Sequence, residues 1–303
     1  MSPLRGGEPF ENDRCILPAD PMDKIDEFLD QIENLPPAPK ILAPLLVALT
    51  DIDADTGRVV DMIALDPALT AKVLQTCNSA YFGVSRPVDH VAEAVNRLGF
   101  QIVYCIVAMA SGDPAFKAAQ GTGIDVSRQW RHAATTAFAS QMIAKRIRAD
   151  AGFLFTAGLL HDIGKLILAE AFRRDYIELQ NDPKVVGTTL VELERASFGL
   201  DHAEVGARLL ERWKFSPQFA AGVRFHHDPG AATGTDVTQF AACLSVADAL
   251  AHSLGPDGGE PASQADYQTT LETLGMVTTD VSRCREEVIE NMQFVEALCR
   301  MRG

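Results

Sequence analysis

Histidines and carboxylates gather in the second half of the chain in a pattern that could bind metal ions. Five of the seven histidines fall between positions 132 and 227, and two carboxylates accompany them. Each of these residues lies on a predicted helix or at its end, and helices hold ligands rigidly enough for metal geometry. Imidazole and carboxylate together suit iron, manganese or zinc. The candidate ligands are His132, His161, Asp162, His202, His226, His227 and Asp248.

Two adjacent pairs carry most of this prediction. His161 and Asp162 interrupt a largely apolar run, and burying them without partners would be costly. A metal ion would satisfy both groups, and a salt bridge to Lys or Arg would be the other solution. His226 and His227 would repel each other if both were protonated, and a metal ion removes that conflict. The pairs therefore favour a metal site and leave the salt bridge open.

The other two histidines, His90 and His252, have no partner motif. A single histidine in a helix is usually a packed or solvated side chain. We therefore interpret both as ordinary histidines.

The composition excludes several classes of protein. A formal net charge of −14 repels phosphate backbones, so broad nucleic-acid binding is not expected. None of the six cysteines forms a Cys-x-x-Cys pair, and most lie in apolar helical runs. Reduced thiols of this kind are typical of the cytoplasm. Residues 1–20 lack the apolar core of a signal peptide. The chain has no run of about 18 uncharged apolar residues, so no membrane span is expected.

Helical periodicity dominates and predicts an all-α protein of two helical subdomains. A flexible leader at 1–20 precedes one subdomain at 21–112, and a second at 124–254 carries the candidate ligands. Two further helices at 262–303 are expected to pack on the second. Ser127 is the expected cap of its long first helix. The predicted helices are 22–35, 41–49, 59–65, 66–79, 88–98, 100–110, 126–148, 153–171, 189–197, 201–213, 217–227, 237–252, 263–274 and 279–301.

A series of short motifs runs through the chain in a recognisable order. They are Leu35-Pro36 to Pro39, Asp66-Pro67-Ala68-Leu69, Asn78 to Gly83, Ala94 to Gly99, Trp130-Arg131-His132, Gly158 to Gly164, His202 to Gly206, Trp213 and His226-His227. With the Ala247-Asp248-Ala249 segment, this order resembles the HDOD family, which comprises signalling relatives of the HD-type metal phosphohydrolases. The resemblance covers roughly residues 30–252.

The resemblance implies an HD-like helical bundle built around one or two divalent metal ions, which could be iron, manganese or zinc. It assigns His132, His161, Asp162 and Asp248 to one metal, and Asp162, His202, His226 and His227 to the other. Asp162 would bridge the two, and a water between them would be the nucleophile of an active enzyme. Asp162 and Lys165 would then be catalytic, because Lys165 lies four residues beyond His161 on the same face of one helix and could reach a substrate phosphate. Arg128 and Arg131 are further candidates for that contact.

The segment after the histidine doublet bears on the choice of function. The related family that hydrolyses cyclic di-GMP has Gly-Tyr-Pro there, whereas this chain has Asp228-Pro229-Gly230-Ala231-Ala232. HDOD proteins as a group resemble output or scaffold modules. The resemblance therefore implies a regulatory module of signal transduction that binds a signalling protein or a small phosphorylated ligand. The complete ligand set favours the alternative, an active phosphohydrolase on a nucleotide or other phosphoester. A helical protein with ordinary histidines is the third interpretation.

Overall fold

The structure is a computed structural model, and it describes most of the chain from residue 56 onward. The described residues are 25–26, 29, 56–65, 67–79, 82, 86–100, 102–103, 105–107, 125–180, 189–255 and 264–300. Every regular element among them is a helix, which confirms the predicted all-α fold class.

Three helices form the described part of the N-terminal region. They are α1 (Thr56–Ala64), α2 (Pro67–Cys77) and α3 (Val91–Leu98), and each packs against the other two. They correspond to the helices predicted at 59–65, 66–79 and 88–98, although α1 begins three residues earlier and α3 begins three residues later than predicted. The helices predicted at 22–35 and 100–110 are described only in part, and the one at 41–49 lies outside the described residues.

A larger set of helices carries the candidate ligands. These are α4 (Val126–Ile147), α5 (Ala151–Leu160), α6 (Ile163–Ala171), α7 (Arg173–Gln180), α8 (Leu190–Phe198), α9 (His202–Arg212), α10 (Pro217–Arg224) and α11 (Thr235–Ser253), followed by α12 (Gln264–Thr273) and α13 (Thr278–Arg300). A short 3-10 turn at Pro229–Ala231 lies between α10 and α11. Helix α4 is central, because it packs against α5, α11 and α13, whereas α9 packs against α6 and α10.

Polar caps fix where the ligand-bearing helices begin. The side chain of Asp150 accepts hydrogen bonds from the first backbone N–H groups of α5, and Asp201 and Ser216 cap α9 and α10 in the same way. Asp125 caps α4 by accepting from the backbone N–H of Arg128. The prediction that Ser127 is this cap was therefore wrong, because the chain already has helical geometry at Val126.

Two glycines allow the helices around the site to approach closely. A Cβ atom at Gly158 would lie 2.8 Å from the Cα of Ala137, so α5 lies directly against the α4 backbone. A Cβ atom at Gly164 would overlap the carbonyl oxygen of His202, so α6 lies against the first turn of α9. His161 and Asp162, which lie between these two glycines, are therefore held between α4 and α9.

The sequence predicts one continuous helix at 153–171, and this prediction was wrong. The helix is interrupted by a turn at His161 and Asp162, which separates α5 from α6. The interruption turns both side chains inward. By length and composition the whole segment Ala151–Ala171 could span a membrane, but most of it is buried against other helices of the bundle.

Two further differences concern the end of α10 and the presence of α7. Helix α10 ends at Arg224 rather than at position 227, so His226 and His227 lie in the turn that follows it. Helix α7 was not predicted, because half of its residues are charged. Tyr176 and Leu179 are nevertheless buried, so the charged residues occupy only its outer face.

The buried apolar side chains form two clusters. One includes residues of α1 to α3 together with residues of α4, α5, α10 and α11. The other joins Ile25 and Leu29 to residues of α6 to α9. The N-terminal helices therefore share a continuous apolar core with the ligand-bearing bundle.

Candidate metal centre

The structure brings all seven candidate ligands together. His132 comes from α4, His161 and Asp162 from the turn between α5 and α6, His202 from the start of α9, and Asp248 from α11. His226 and His227 come from the turn after α10. Five segments that are far apart in sequence thus contribute side chains to one place in the bundle.

Asp162 lies at the middle of the cluster, and its two carboxylate oxygens face different groups. Oδ2 lies 3.4 Å from Nε2 of His161 and 3.6 Å from Nε2 of His132. Oδ1 lies 3.2 Å from Nε2 of His202 and 4.0 Å from Nε2 of His226. This is the arrangement that a carboxylate bridging two cations needs, because each oxygen can face one ion.

Each of the two groups contains a further donor. On the Oδ2 side, Oδ1 of Asp248 lies 2.8 Å from Nε2 of His132 and 3.4 Å from Nε2 of His161. On the Oδ1 side, Nε2 of His227 lies 2.8 Å from Nε2 of His202. We call the group of His132, His161 and Asp248 the first half-site, and the group of His202, His226 and His227 the second half-site. Asp162 is shared.

Acceptor groups behind three of the imidazoles fix the tautomers of their rings. Nδ1 of His161 donates to the carbonyl oxygen of Gly158 at 2.8 Å, and Nδ1 of His226 donates to that of Val223 at 2.6 Å. Nδ1 of His202 lies 2.6 Å from a carboxylate oxygen of Glu194. Because these partners can only accept, Nδ1 carries the proton, and Nε2 of the neutral ring presents its lone pair to the centre.

Several buried polar atoms in the cluster have no hydrogen-bond partner among the described residues. They are Oδ1 of Asp162, Oδ1 of Asp248 and Nε2 of His226. The short approaches of His202 to Asp162 and of His132 to Asp248 do not have hydrogen-bond geometry, although the atoms are within ion-pair distance. A buried polar atom left unsatisfied costs about 1–3 kcal/mol. A divalent cation in each half-site would satisfy all three atoms, so the residues fit the metal ions that the sequence predicts.

The two carboxylates at the centre are ionised. Burial would raise the pKa of Asp162, but the His161 imidazole and the Lys165 ammonium hold it well below its usual range. Burial would also raise the pKa of Asp248, but the neighbouring imidazoles of His132 and His161 hold it well below its usual range. Two anionic carboxylates among imidazoles make the centre a strong binding environment for cations.

The imidazoles of the second half-site differ from one another. Burial lowers the pKa of His202, but the Glu194 carboxylate opposes this and, with Asp162, raises it to about 9. Burial lowers the pKa of His226 to about 3, with further contributions from His161 and His202. His226 is therefore neutral and ready to ligate, whereas His202 must release a proton when a metal ion binds.

Lys165 contacts Asp162 directly. Its Nζ atom lies 2.5 Å from Oδ2 of Asp162, and Nε2 of Gln129 donates to the same oxygen at 3.1 Å. The salt bridge that the sequence left open is thus formed, but at only one of the two oxygens. The expected placement of Lys165 on the same helix as His161 was wrong, because the chain turns between them. Its role toward a phosphate stays a prediction.

Sequence reasoning missed a buried chain of polar residues behind His202. Oε2 of Glu194 accepts from both Nδ1 and the backbone N–H of His202, and Oε1 accepts from the hydroxyl of Tyr176 at 2.8 Å. Glu194 is fully buried on α8 together with Val191 and Phe198. An acidic residue on the apolar face of a predicted helix was the signal that could have found it.

His252 was also missed. Its Nε2 atom lies 3.5 Å from Oδ1 of Asp248, and its ring centroid lies 4.4 Å from that of His132. The signal was the spacing of four residues from Asp248, which places both side chains on one face of α11. His90, by contrast, is exposed and lies 3.5 Å from an equally exposed Asp89, in agreement with the interpretation of an ordinary histidine.

The cluster is closed on one side and open on the other. His161, Asp162, His202 and His226 are at most 3% exposed. His227 and His252 are exposed, and the side chains of His132 and Asp248 are partly so. Solvent therefore reaches the centre past His132 and Asp248 of the first half-site, past His227 of the second, and past His252.

Comparisons with known proteins agree with this architecture. The model of the HDOD domain matches residues 35–229. A curated relative, an uncharacterized protein of Treponema pallidum (strain Nichols), is 27% identical over 208 residues. The matched part is 66% of this chain but only 39% of the relative, so the chain spans about two fifths of the length of the curated relative it matches.

Two solved structures share the fold. A provisionally named phosphohydrolase of Shewanella amazonensis SB2B has a TM-score of 0.67 and 25% identity, covering 89% of this chain and 97% of its own. A provisionally named signal transduction protein of Marinobacter aquaeolei VT8 has a TM-score of 0.75 and 24% identity, covering 93% of this chain and 65% of its own.

The family match, the shared fold and the ordered motifs lead to one classification. Because the family model covers well over half of the chain, this protein belongs to the HDOD family. The matched region ends at residue 229, so Asp248 and His252 lie beyond it.

Proposed function

We propose that this HDOD protein is a regulatory module of signal transduction that binds one or two divalent metal ions and acts by binding a protein partner or a small phosphorylated ligand. The observation that carries the proposal is the division of the Asp162 carboxylate between two half-sites that contain three further donors each. The resting state of such a module would be metal-loaded, and its ligand would meet the open side of the centre.

In this proposal the residues that hold the metal ions have distinct tasks. His132, His161 and Asp248 hold one ion, His202, His226 and His227 hold the other, and Asp162 joins them. Iron, manganese or zinc suits this mixture of imidazole and carboxylate. When bound, two such ions supply Lewis acidity toward a phosphate oxygen and lower the pKa of a water between them.

The surroundings of the open side favour binding over turnover. Hydrolysis needs a phosphate held in line with an activated water. The ammonium group of Lys165, which could bind a phosphate, already forms an ion pair with Asp162. The segment after His227 has a carboxylate at each end, Asp228 and Asp236, with a short 3-10 turn between them. Repulsion from these carboxylates opposes the tight binding of a phosphate anion that catalysis requires.

The second candidate function is an active metal-dependent phosphohydrolase. Two observations favour it: the complete set of seven donors, and a centre that solvent reaches past His227 and His132. The likeness to the Shewanella amazonensis protein, which bears the name of a phosphohydrolase, supports the same alternative. A nucleotide or other phosphoester would be its substrate.

Turnover assays separate the two functions. Protein purified without chelators and loaded with iron, manganese or zinc is tested on cyclic di-GMP and on a panel of phosphodiesters and phosphomonoesters. We expect weak or undetectable turnover throughout. Turnover above about 1 per second on a cyclic dinucleotide, lost in His161→Ala, would contradict the regulatory module, because that rate is within the ordinary enzyme range.

A further inference from the structure

His252 lies on the solvent side of the first half-site. It is on α11, one turn after Asp248, and its side chain is 53% exposed. Its Nε2 atom lies 3.5 Å from Oδ1 of Asp248, and its ring is tilted by 41° against that of His132 at 4.4 Å. The exposed ring thus covers the outward face of two candidate ligands.

Oδ1 of Asp248 is the point at which three imidazoles converge. The Nε2 atoms of His132, His161 and His252 lie 2.8, 3.4 and 3.5 Å from it. The oxygen is nevertheless buried and has no hydrogen bond among the described residues. The donor atoms of His132, Asp248 and His252 lie within 4.8 Å of one another, close enough to share one cation.

We propose that His252 is a further metal ligand of the first half-site, at the coordination position that faces solvent. The inference rests on the proposed function, because it requires a metal ion in that half-site. Catalytic metal sites keep one position open for water or substrate, whereas structural sites are closed by protein side chains. His252 would thus be a fifth protein donor, at the solvent-facing position that a phosphate oxygen would otherwise take. A phosphorylated ligand would then meet the second half-site, where His227 is exposed, and hydrolysis at the first is disfavoured.

Cobalt(II) titration of the full chain, followed by visible absorption, tests the proposal. We compare wild type with His252→Ala, and use His90→Ala as the matched control because His90 is exposed and belongs to none of the candidate ligand groups among the described residues. Since His252 is half exposed near the end of α11, its replacement is expected to leave the fold intact, and circular dichroism checks this. Inorganic phosphate is then added to each cobalt-loaded protein.

The expected result is a change in one of two cobalt-binding events. In His252→Ala, the affinity of one cobalt-binding event should fall by about tenfold or more, since loss of even an outer-sphere partner has an effect of this size. The visible absorption of that bound cobalt should also change, while His90→Ala matches wild type. Phosphate should perturb the His252→Ala spectrum at concentrations at least about tenfold lower than in wild type, because a position is opened.

Two different failures are distinguishable. Cobalt affinity, absorption and phosphate response that are the same in His252→Ala as in wild type would overturn the role of His252 alone, provided that Asp162→Ala loses cobalt. Wild type that binds no cobalt, or Asp162→Ala that binds it as wild type does, would overturn the metal site and this inference together.

Discussion

The N-terminal helices and the ligand-bearing bundle bury different kinds of side chain. Among the described residues between 56 and 107, Thr76 is the only buried polar residue, and its hydroxyl donates to the carbonyl oxygen of Lys72. The bundle instead buries ionisable groups at its centre. These are His161, Asp162, Glu194, His202, His226 and Asp248.

The two kinds of interior reflect different roles of the two regions. The apolar interior of α1 to α3 stabilises the fold through burial of hydrophobic surface. Buried ionisable groups are costly unless they are paired or bind metal ions, and they add little to stability by themselves. The polar centre of the bundle is therefore explained by binding chemistry, and changes in the two regions should have different consequences.

The largest effect is expected where the backbone of the bundle has no room. Gly164→Ala places a methyl group against the carbonyl oxygen of His202 and the backbone of Gly206, so α6 and α9 must separate. We expect a loss of about 3 kcal/mol in the free energy of unfolding, at the upper end of the range for overpacking. Urea denaturation measures it.

Gly152→Ala is the matched control, because the nearest atom to its new methyl group is 3.5 Å away and the position is helical. It should be neutral or stabilise by up to about 1 kcal/mol. Equal losses in the two variants would contradict the close contact between α6 and α9.

Removal of the shared carboxylate should abolish the response to chelators. Metal bound only to the folded state stabilises it by about 2.7 kcal/mol at a hundredfold excess over the dissociation constant. A chelator should therefore lower the melting temperature of wild type but not that of Asp162→Ala. Asp175→Ala, at an exposed position on α7, should behave as wild type. A chelator response in Asp162→Ala equal to that of wild type would count against the site.

Glu194 should raise metal affinity through His202, although it does not itself coordinate a metal ion. Glu194→Gln removes the charge that orients Nδ1 of His202 and leaves the buried shape nearly unchanged. We expect metal affinity to fall by about 10–100-fold, the usual cost of losing an outer-sphere partner. Competition with a chromophoric chelator measures it, and Tyr176→Phe should cause a smaller loss. Unchanged affinity in Glu194→Gln would show that His202 is oriented by other contacts.

The smallest effect is expected in the apolar region. Ile63→Val removes one methylene from a fully buried side chain of α1 and should cost about 0.5–1.5 kcal/mol of unfolding free energy. Because Ile63 has no part in the polar centre, metal affinity should not change. A loss of metal affinity comparable with that of Glu194→Gln would break the distinction between the two regions.

The helices were largely predictable from the sequence, because apolar residues recur at helical spacing and polar caps mark the starts. The turn at His161 and Asp162 was not, since apolar residues continue on both sides of this polar pair and favour one long helix. The close packing of Gly158 and Gly164 against other helices is a tertiary feature that local periodicity does not contain. Helix α7 was not predicted, because the charged residues of its outer face outweigh the few apolar residues that it buries.

The candidate ligands were predictable as a set, because the ordered motifs point to a known family. Their assembly into two half-sites depends on tertiary packing, which no local pattern contains. Glu194 and His252 each carried a local signal, an acidic residue on an apolar helix face and a spacing of four residues from Asp248. Neither signal identifies the groups that the side chain contacts, because these come from neighbouring helices.

In the proposed function, Asp162 joins two metal ions. The most direct measurement is anomalous diffraction from crystals of the full chain purified without chelators and loaded with manganese, iron or zinc. We expect two peaks on either side of Asp162, about 3.5–4 Å apart, one among His132, His161 and Asp248 and the other among His202, His226 and His227. Absence of any peak among these residues, or a metal ion bound elsewhere without Asp162, would contradict it.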